Sequence, residues 1–331
     1  MSACNYPSVQ GHCDMIRLIL GRLGLGILTL WFVSLVVFAA TQALSGDAAT
    51  AILARTATPE RLAALRAQLH LDDPVWLQYA KWLGGLVTGD LGQSLATQKP
   101  VSHLIGLRIG NSAFLVLVAA LIAIPASFLV GIASAVRRDR GLDHVLTMAS
   151  LVLAALPEFV IGIALILIFA TGVFHVLPAV ALLDDTRPIW RQFDQILLPA
   201  LTLDLAVVPY MARIIRASMV EVMESEYVQM ARLKGLPQRL VVLRHALPNA
   251  IVPAVQVTAL QLAWLAGGVV VVEYVFRYPG IGQSLVDGVA NRDLPVVQAL
   301  SLLVGGLYVV LNLVADVITI LVTPKLRTSL Q

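Results

Sequence analysis

The chain has 331 residues, 58% of them hydrophobic and 13% charged, with a mean hydropathy of +0.84. Soluble domains carry roughly 25% charged residues, so these totals exclude one and indicate a polytopic membrane protein. The net charge of +3 does not argue for nucleic acid, because the bases stand in short clusters beside apolar runs, the pattern that orients a chain in a bilayer.

Residues 1–15 are polar and irregular and form an N-terminal tail. They hold both cysteines, Cys4 and Cys13, which supply neither a disulfide framework nor a ligand pair at metal spacing. The apolar run that follows is too long for a signal-peptide core and is expected to stay as an anchor, opening a membrane domain over 16–331. About 20 apolar residues cross a bilayer core. Six stretches reach that length: 18–42, 111–136, 146–172, 196–218, 251–273 and 297–322. The expected fold is all-α with six transmembrane helices. Six crossings put both termini on one side. Arg17, Arg22, Arg137, Arg138, Arg140, the group from Arg213 to Arg244, Lys325 and Arg327 share that side, against Arg187, Arg191, Arg277 and Arg292 in the short loops opposite. Positive residues gather inside, so both termini, including the 323–331 tail, are predicted to be cytoplasmic.

The first external loop, 43–110, has structure of its own. Thr58-Pro59-Glu60 reads as a cap and a first-turn proline, followed by Leu62, Leu65 and Leu69 at helical spacing. A second amphipathic piece follows Pro74 through Trp76, Tyr79, Leu83 and Leu86. The loop closes on Gly89-Asp90-Leu91-Gly92-Gln93-Ser94, a glycine-punctuated turn. No internal repeat is evident, which argues against a fold built from two similar halves.

Ionisable groups inside a bilayer are costly and mark functional candidates. Glu158 falls near the middle of the third stretch, just after Pro157, and Asp204 in the outer half of the fourth. Facing a watery pathway, either could attract a cationic solute or relay protons; each could also be a buried group paired to a neighbour. Pro125, Pro157, Pro209 and Pro253 interrupt their stretches and are expected to kink them. The six histidines are scattered without a paired carboxylate on a helical face, so no metal site is assigned. No catalytic site is assigned either, because neither a nucleophile elbow nor an H-E-x-x-H motif is present.

Within the 219–250 loop, EYVQMARLKGLPQRLVVLRHALPNA (226–250) reads as two short helices with a hinge. Glu226 to Lys234 has helix-forming composition, Gly235 suits a left-handed cap, and Pro237 suits the first turn of the next helix. In that second helix Leu236, Leu240, Leu243 and Leu247 are spaced to form one buried stripe, and Pro248 is expected to stop it. A solvated hairpin obeying the positive-inside rule and a docking knob for a partner both fit.

The spacing of Ala231, Gly235 and Leu247-Pro248, preceded by Glu226-Tyr227-Val228, resembles the cytoplasmic signature of ATP-binding-cassette (ABC) importer permeases, in the dipeptide, oligopeptide and nickel branch. Gln229-Met230 departs from the generic Glu-Ala opening. Further motifs of that branch follow in order: Ser45-Gly46-Asp47, Gly89 to Leu95, Leu156-Pro157 with Phe159, Glu273-Tyr274-Val275-Phe276 with Pro279-Gly280-Ile281-Gly282, Asn291-Arg292-Asp293, Pro295 to Gln298, then Asn312 and Asp316. The resemblance implies a type I importer permease that forms half of a pathway for short peptides, or alternatively for nickel or a metal chelate. It implies that Glu226, Tyr227, Ala231, Lys234, Gly235, Leu236, Leu247 and Pro248 couple the chain to an ATPase, and that Glu273 and Asp316 serve gating or helix packing. Glu158 and Asp204 lie outside the pattern. Implied partners are a second, similar permease, two cytoplasmic ABC ATPases, an external solute-binding protein and the lipid of a bacterial inner membrane. ATP and magnesium would belong to the ATPases, since no G-x-x-x-x-G-K-[ST] cradle occurs here and no cofactor is expected on this chain. A secondary transporter driven by protons through Glu158 or Asp204, and a scaffold without transport, are the readings from other classes.

Overall fold

A computed structural model describes residues 7–43, 58–59, 73–184 and 186–322. The Ser45-Gly46-Asp47 motif, the leucines at 62, 65 and 69, and the 323–331 tail lie outside them. The described chain is helical: α1 (Pro7–Ala43), α2 (Val75–Thr88), α3 (Val101–Val136), α4 (Gly141–Ala155), α5 (Glu158–Ile166), α6 (Phe193–Met223), α7 (Glu226–Leu233), α8 (Leu247–Phe276), α9 (Ile281–Ala290) and α10 (Leu294–Val322). Among the described residues four helices are each long and apolar enough to cross a bilayer, or up to six spans if each of two bent pairs counts as one: α4 with α5, and Gln238–Ile251 with Ala254–Gln261, bent by 55°.

The third stretch is broken rather than kinked. Its halves, α4 and α5 with the π-helical turn Leu167–Gly172, meet at 106°. Leu156 (φ −85°, ψ 133°) and Pro157 (φ −61°, ψ 145°) are both extended, because the proline ring disfavours a helical residue before it and removes an N–H. Pro125 and Pro209 behave differently and stay inside the unbroken α3 and α6. The bend turns α5 onto α6 and α8.

Helix α6 is the axis of the bundle. Two-thirds of its apolar window (67%) is buried within the chain against 11% for the first span, so α3, α5 and α8 pack around it while α1 keeps an apolar face outward. Leu115 and Val118 of α3, Ile161 and Leu165 of α5, Leu198 and Leu203 of α6, and Leu265 and Phe276 of α8 share one core. Gly131 lets α3 and α6 cross closely: a Cβ there would stand 2.8 Å from the Ala212 carbonyl oxygen. Helix α1 lies along α10, where a Cβ on Gly26 would meet Val309 at 2.7 Å.

At the end of the bundle nearest α7, Asp143 opens α4 and is buried. Arg216 of α6 donates to both of its oxygens, Nε to Oδ1 at 2.7 Å and Nη2 to Oδ2 at 2.6 Å. The Ser134 hydroxyl of α3 and the Asp139 backbone N–H donate as well. One carboxylate thereby clamps α3, the 137–140 turn, α4 and α6. Arg138 also pairs with Glu224 just past α6, but those side chains are 44% and 64% exposed. Removing one partner of a buried pair costs about 3 kcal/mol or more, whereas an exposed pair is worth below about 1 kcal/mol. Asp143→Ala is therefore expected to lower the thermal midpoint of the purified protein by several degrees, and Glu224→Ala to leave it nearly unchanged, as scanning fluorimetry would show.

Candidate functional site

The loop expected to form a helix pair does so, with a different second half. Helix α7 starts after Ser225 (ψ 150°) and ends at Lys234, and Gly235 follows at φ +77°, its N–H donating to the Arg232 carbonyl at 2.9 Å. No atom lies within 4 Å of where a Gly235 Cβ would be, so backbone conformation, not space, favours glycine there. Pro237 (ψ 142°) is extended and caps the restart rather than joining its first turn. One α-turn, Gln238–Leu240, runs into a π-helical turn, Val241–Ala246, and then into α8.

Two expectations fail here. Pro248 does not stop the helix: it sits in the first turn of α8, where a missing N–H is tolerated. The leucine stripe is not the buried face either. Leu243 is 63% exposed, whereas Val241, Val242 and Ala246 are buried, because the i to i+5 winding shifts the side chains off the 3.6-residue period on which the stripe was drawn. Leu236 and Leu247 are half-buried and Pro248 is exposed.

Helix α7 has two apolar faces, and the sequence reading drew neither. Val228 and Ala231 are buried against Val241, with Val222 and Leu236 packed beside them. On the other side Tyr227, Met230 and Leu233 recur every three residues and are 46%, 55% and 81% exposed. Glu226 and Lys234, at the two ends, are exposed. The structure therefore brings a small apolar platform onto a rim of the bundle, held from behind by a hydrophobic anchor. The i, i+3, i+6 spacing of Tyr227, Met230 and Leu233 was the signal available in the sequence.

The intramembrane carboxylates separate into two kinds. Glu273 is fully buried: Ser112 Oγ donates to its Oε1 at 2.5 Å, and the backbone N–H of Gly282 to its Oε2 at 2.7 Å. Ser112 Oγ in turn accepts from the Ile281 N–H at 2.9 Å. Asp316 pairs with Arg22 of α1 at 3.1 Å. Both groups join helices within the chain. By contrast, Oε2 of Glu158 and both carboxylate oxygens of Asp204 are buried with no hydrogen-bond partner among the described residues. Asp204 is 4% exposed, beside the core residue Leu203. Glu158 is half-buried at the first turn after the break, and a Cβ on Gly268 would stand 2.9 Å from its Oε2. Glycine on α8 leaves room for that carboxylate.

At the opposite end of the bundle, two motifs far apart in sequence meet. Asp293, buried, accepts from Ser94 Oγ at 2.5 Å and from the Leu95 N–H at 2.9 Å. The Gly89–Leu95 turn and the Asn291–Asp293 turn thus form one unit. Among the described residues no group of three or more His, Cys, Asp or Glu side chains could hold a metal ion.

Comparison with known proteins accounts for this arrangement. Residues 127–328 match the family described as binding-protein-dependent transport system inner membrane component, and residues 15–113 match its N-terminal family. The glutathione transport system permease protein GsiC of Salmonella choleraesuis (strain SC-B67) is 37% identical over 314 residues, covering 95% of this chain and 99% of that protein. GsiC of Escherichia coli (strain K12) is 36% identical over the same shares. Matches of that extent take in both the broken third span and the α7 loop, and the chain belongs to the binding-protein-dependent inner-membrane permeases of ABC importers, as a transport subunit whose ATPase resides on other chains.

Proposed function

We propose that the platform of Tyr227, Met230 and Leu233 is the surface on which a separate cytoplasmic ABC ATPase seats, with α7 as the coupling helix. The observation that carries this reading is the pairing of an exposed apolar face with a buried one on an eight-residue helix. An unpartnered apolar face of that kind favours a protein contact. Gly235 fixes the turn behind it, and Leu236, Leu247 and Pro248 lie on the path from that turn into α8. Glu226 and Lys234 flank the platform as polar rim groups. Both termini share the cytoplasmic side with α7 on this reading, which rests on the arginine distribution. A second permease, a second ATPase and an external solute-binding protein complete the assembly.

The cargo we infer is a short peptide. The named relatives transport glutathione, itself a tripeptide, so a peptide of that size is the class to test first. Within the pathway, Glu158 is the group we assign to an ammonium: its carboxylate lies at the break of the third span, one oxygen without a partner, with space kept by Gly268. Asp204, enclosed in the core, joins such a surface only in a conformation that opens the packing around α6.

Leu233→Asp places a charge on the platform at a position with little packing in this chain. It is expected to reduce cargo-stimulated ATP hydrolysis by the reconstituted importer at least roughly tenfold, with the membrane level of the chain unchanged; wild-type stimulation in that variant would remove the docking role. For Glu158→Gln, uptake of a cationic tripeptide is expected to fall by roughly tenfold, the equivalent of one charge-assisted contact. Uptake of a neutral tripeptide of equal length should fall far less. Equal losses would exclude an electrostatic role.

A further inference from the structure

Between α7 and the bundle lies a cleft of about 490 Å³ that the coupling reading does not use. Arg138 and Arg140 of the α3–α4 turn line it from one side, Arg232 of α7 and Gln238 from the other, and Glu224 is the single acidic residue among its walls. Its floor is apolar: Ala135 and Val136 at the end of α3, Val220 and Met223 at the end of α6, and Leu236. Arg138 is neutralised by Glu224 and Asp139. Arg140 and Arg232 have no ion pair or side-chain hydrogen bond among the described residues. Two uncompensated guanidinium groups from separate elements therefore converge over an apolar floor made by the ends of two membrane-spanning helices.

We propose that this cleft binds the phosphodiester headgroup of an anionic phospholipid. Guanidinium forks match phosphate oxygens, and basic pockets between helix ends at a membrane surface attract anionic lipid. The floor distinguishes a lipid from a free anion. A bare phosphate gains nothing from Val136, Val220 and Met223, whereas the glycerol end of a lipid buries apolar surface on them. No aromatic ring lines the cleft, so a nucleotide base would lack an aromatic stacking partner there. The bound headgroup would bridge the 138–140 turn to α7 and so set how tightly α7 is held to the bundle. Tyr227, Met230 and Leu233 do not line the cleft, which keeps this site separate from the platform proposed to receive the ATPase.

The test uses the full-length chain with whatever subunits purify with it. The protein is exchanged into vesicles of equal phosphatidylglycerol and phosphatidylcholine, re-extracted in mild detergent and read by native mass spectrometry. Wild type is expected to retain phosphatidylglycerol over phosphatidylcholine, and Arg140→Gln with Arg232→Gln to lose roughly fivefold of that preference for each arginine removed. Lysine at both positions, which keeps the charge but not the fork, should retain more of the preference than glutamine and less than wild type, and controls for misfolding. Three results would overturn the proposal: no lipid preference in wild type, an undiminished preference in the double glutamine variant, or displacement of phosphatidylglycerol by millimolar inorganic phosphate, which would mark the cleft as a free-anion site. None of them bears on whether Leu233→Asp uncouples ATP hydrolysis.

Discussion

The Glu273 carboxylate, wholly removed from solvent, sets the constraint around which the 273–282 segment is arranged. A charged or polar group in that position is tolerated only when donors saturate it. The chain supplies them from three places: the Ser112 hydroxyl on α3 and the backbone N–H groups of Gly282 and, at 3.4 Å, Gln283 at the start of α9. Those contacts dictate the Pro-Gly-x-Gly turn. A Cβ on Gly280 would stand 2.1 Å from Oε1, and one on Gly282 would stand 2.4 Å from the Val270 Cα, so any larger residue would push the carboxylate away from its donors. The same turn is sewn to α3 by Asn111, whose side chain donates to the Pro279 carbonyl and whose own carbonyl accepts from the Tyr278 hydroxyl. A motif that reads as a string of unrelated letters is one hydrogen-bonded unit.

The same logic recurs at Asp143 and at Asp293. Each buried carboxylate gathers donors from segments remote in sequence, and each sits at an end of the bundle rather than along its middle. The middle is held by apolar packing on α6, which is non-directional and allows helices to shift against one another. Glu158 Oε2 and both oxygens of Asp204 are the exceptions, buried without donors among the described residues. They lie on α5, which opens at the break at Leu156-Pro157, and on α6, which packs against both halves of the broken span.

Long apolar runs made the six spans legible in the sequence, since nothing but a helix satisfies its own backbone in lipid. Local turn chemistry made the hinge at Gly235 and the turn at Gly89 (φ +83°) legible too. What stayed hidden depended on long-range pairing or on departures from the 3.6-residue period. Four prolines looked alike, but only the tertiary context decides that Pro157 breaks its span, that the stretch holding Pro253 bends by 55° between Ile251 and Ala254, and that Pro125 and Pro209 leave their helices unbroken. The leucine stripe failed because the Val241–Ala246 turn is π-helical, and no residue there announces it. Asp143 and Arg216, 73 residues apart, gave no local sign of being partners. The platform on α7 was legible in retrospect, from three apolar residues at helical spacing on a helix too polar to be a span.

Continuity of the helical path gives the proposed coupling its mechanical content. From Gln238 the chain stays helical through the π-turn and α8 to Phe276, so the element that anchors α7 from behind, through Val241, is the same one that carries Glu273 at its far end. A displacement of α7 reaches that element through the 234–237 turn and, more directly, through the packing of Val228 and Ala231 on Val241. The compliance available lies in the π-turn, a departure from regular α winding, and in the 55° bend between Ile251 and Ala254. The Asp143 clamp stops the neighbouring ends of α3, α4 and α6 from following that motion independently. The geometry therefore favours the Gln238–Ile251 segment moving against a fixed α3–α4–α6 base, and the part of that shift carried past the bend would fall on the α8–α5 contact at Gly268, where the Glu158 Oε2 lies.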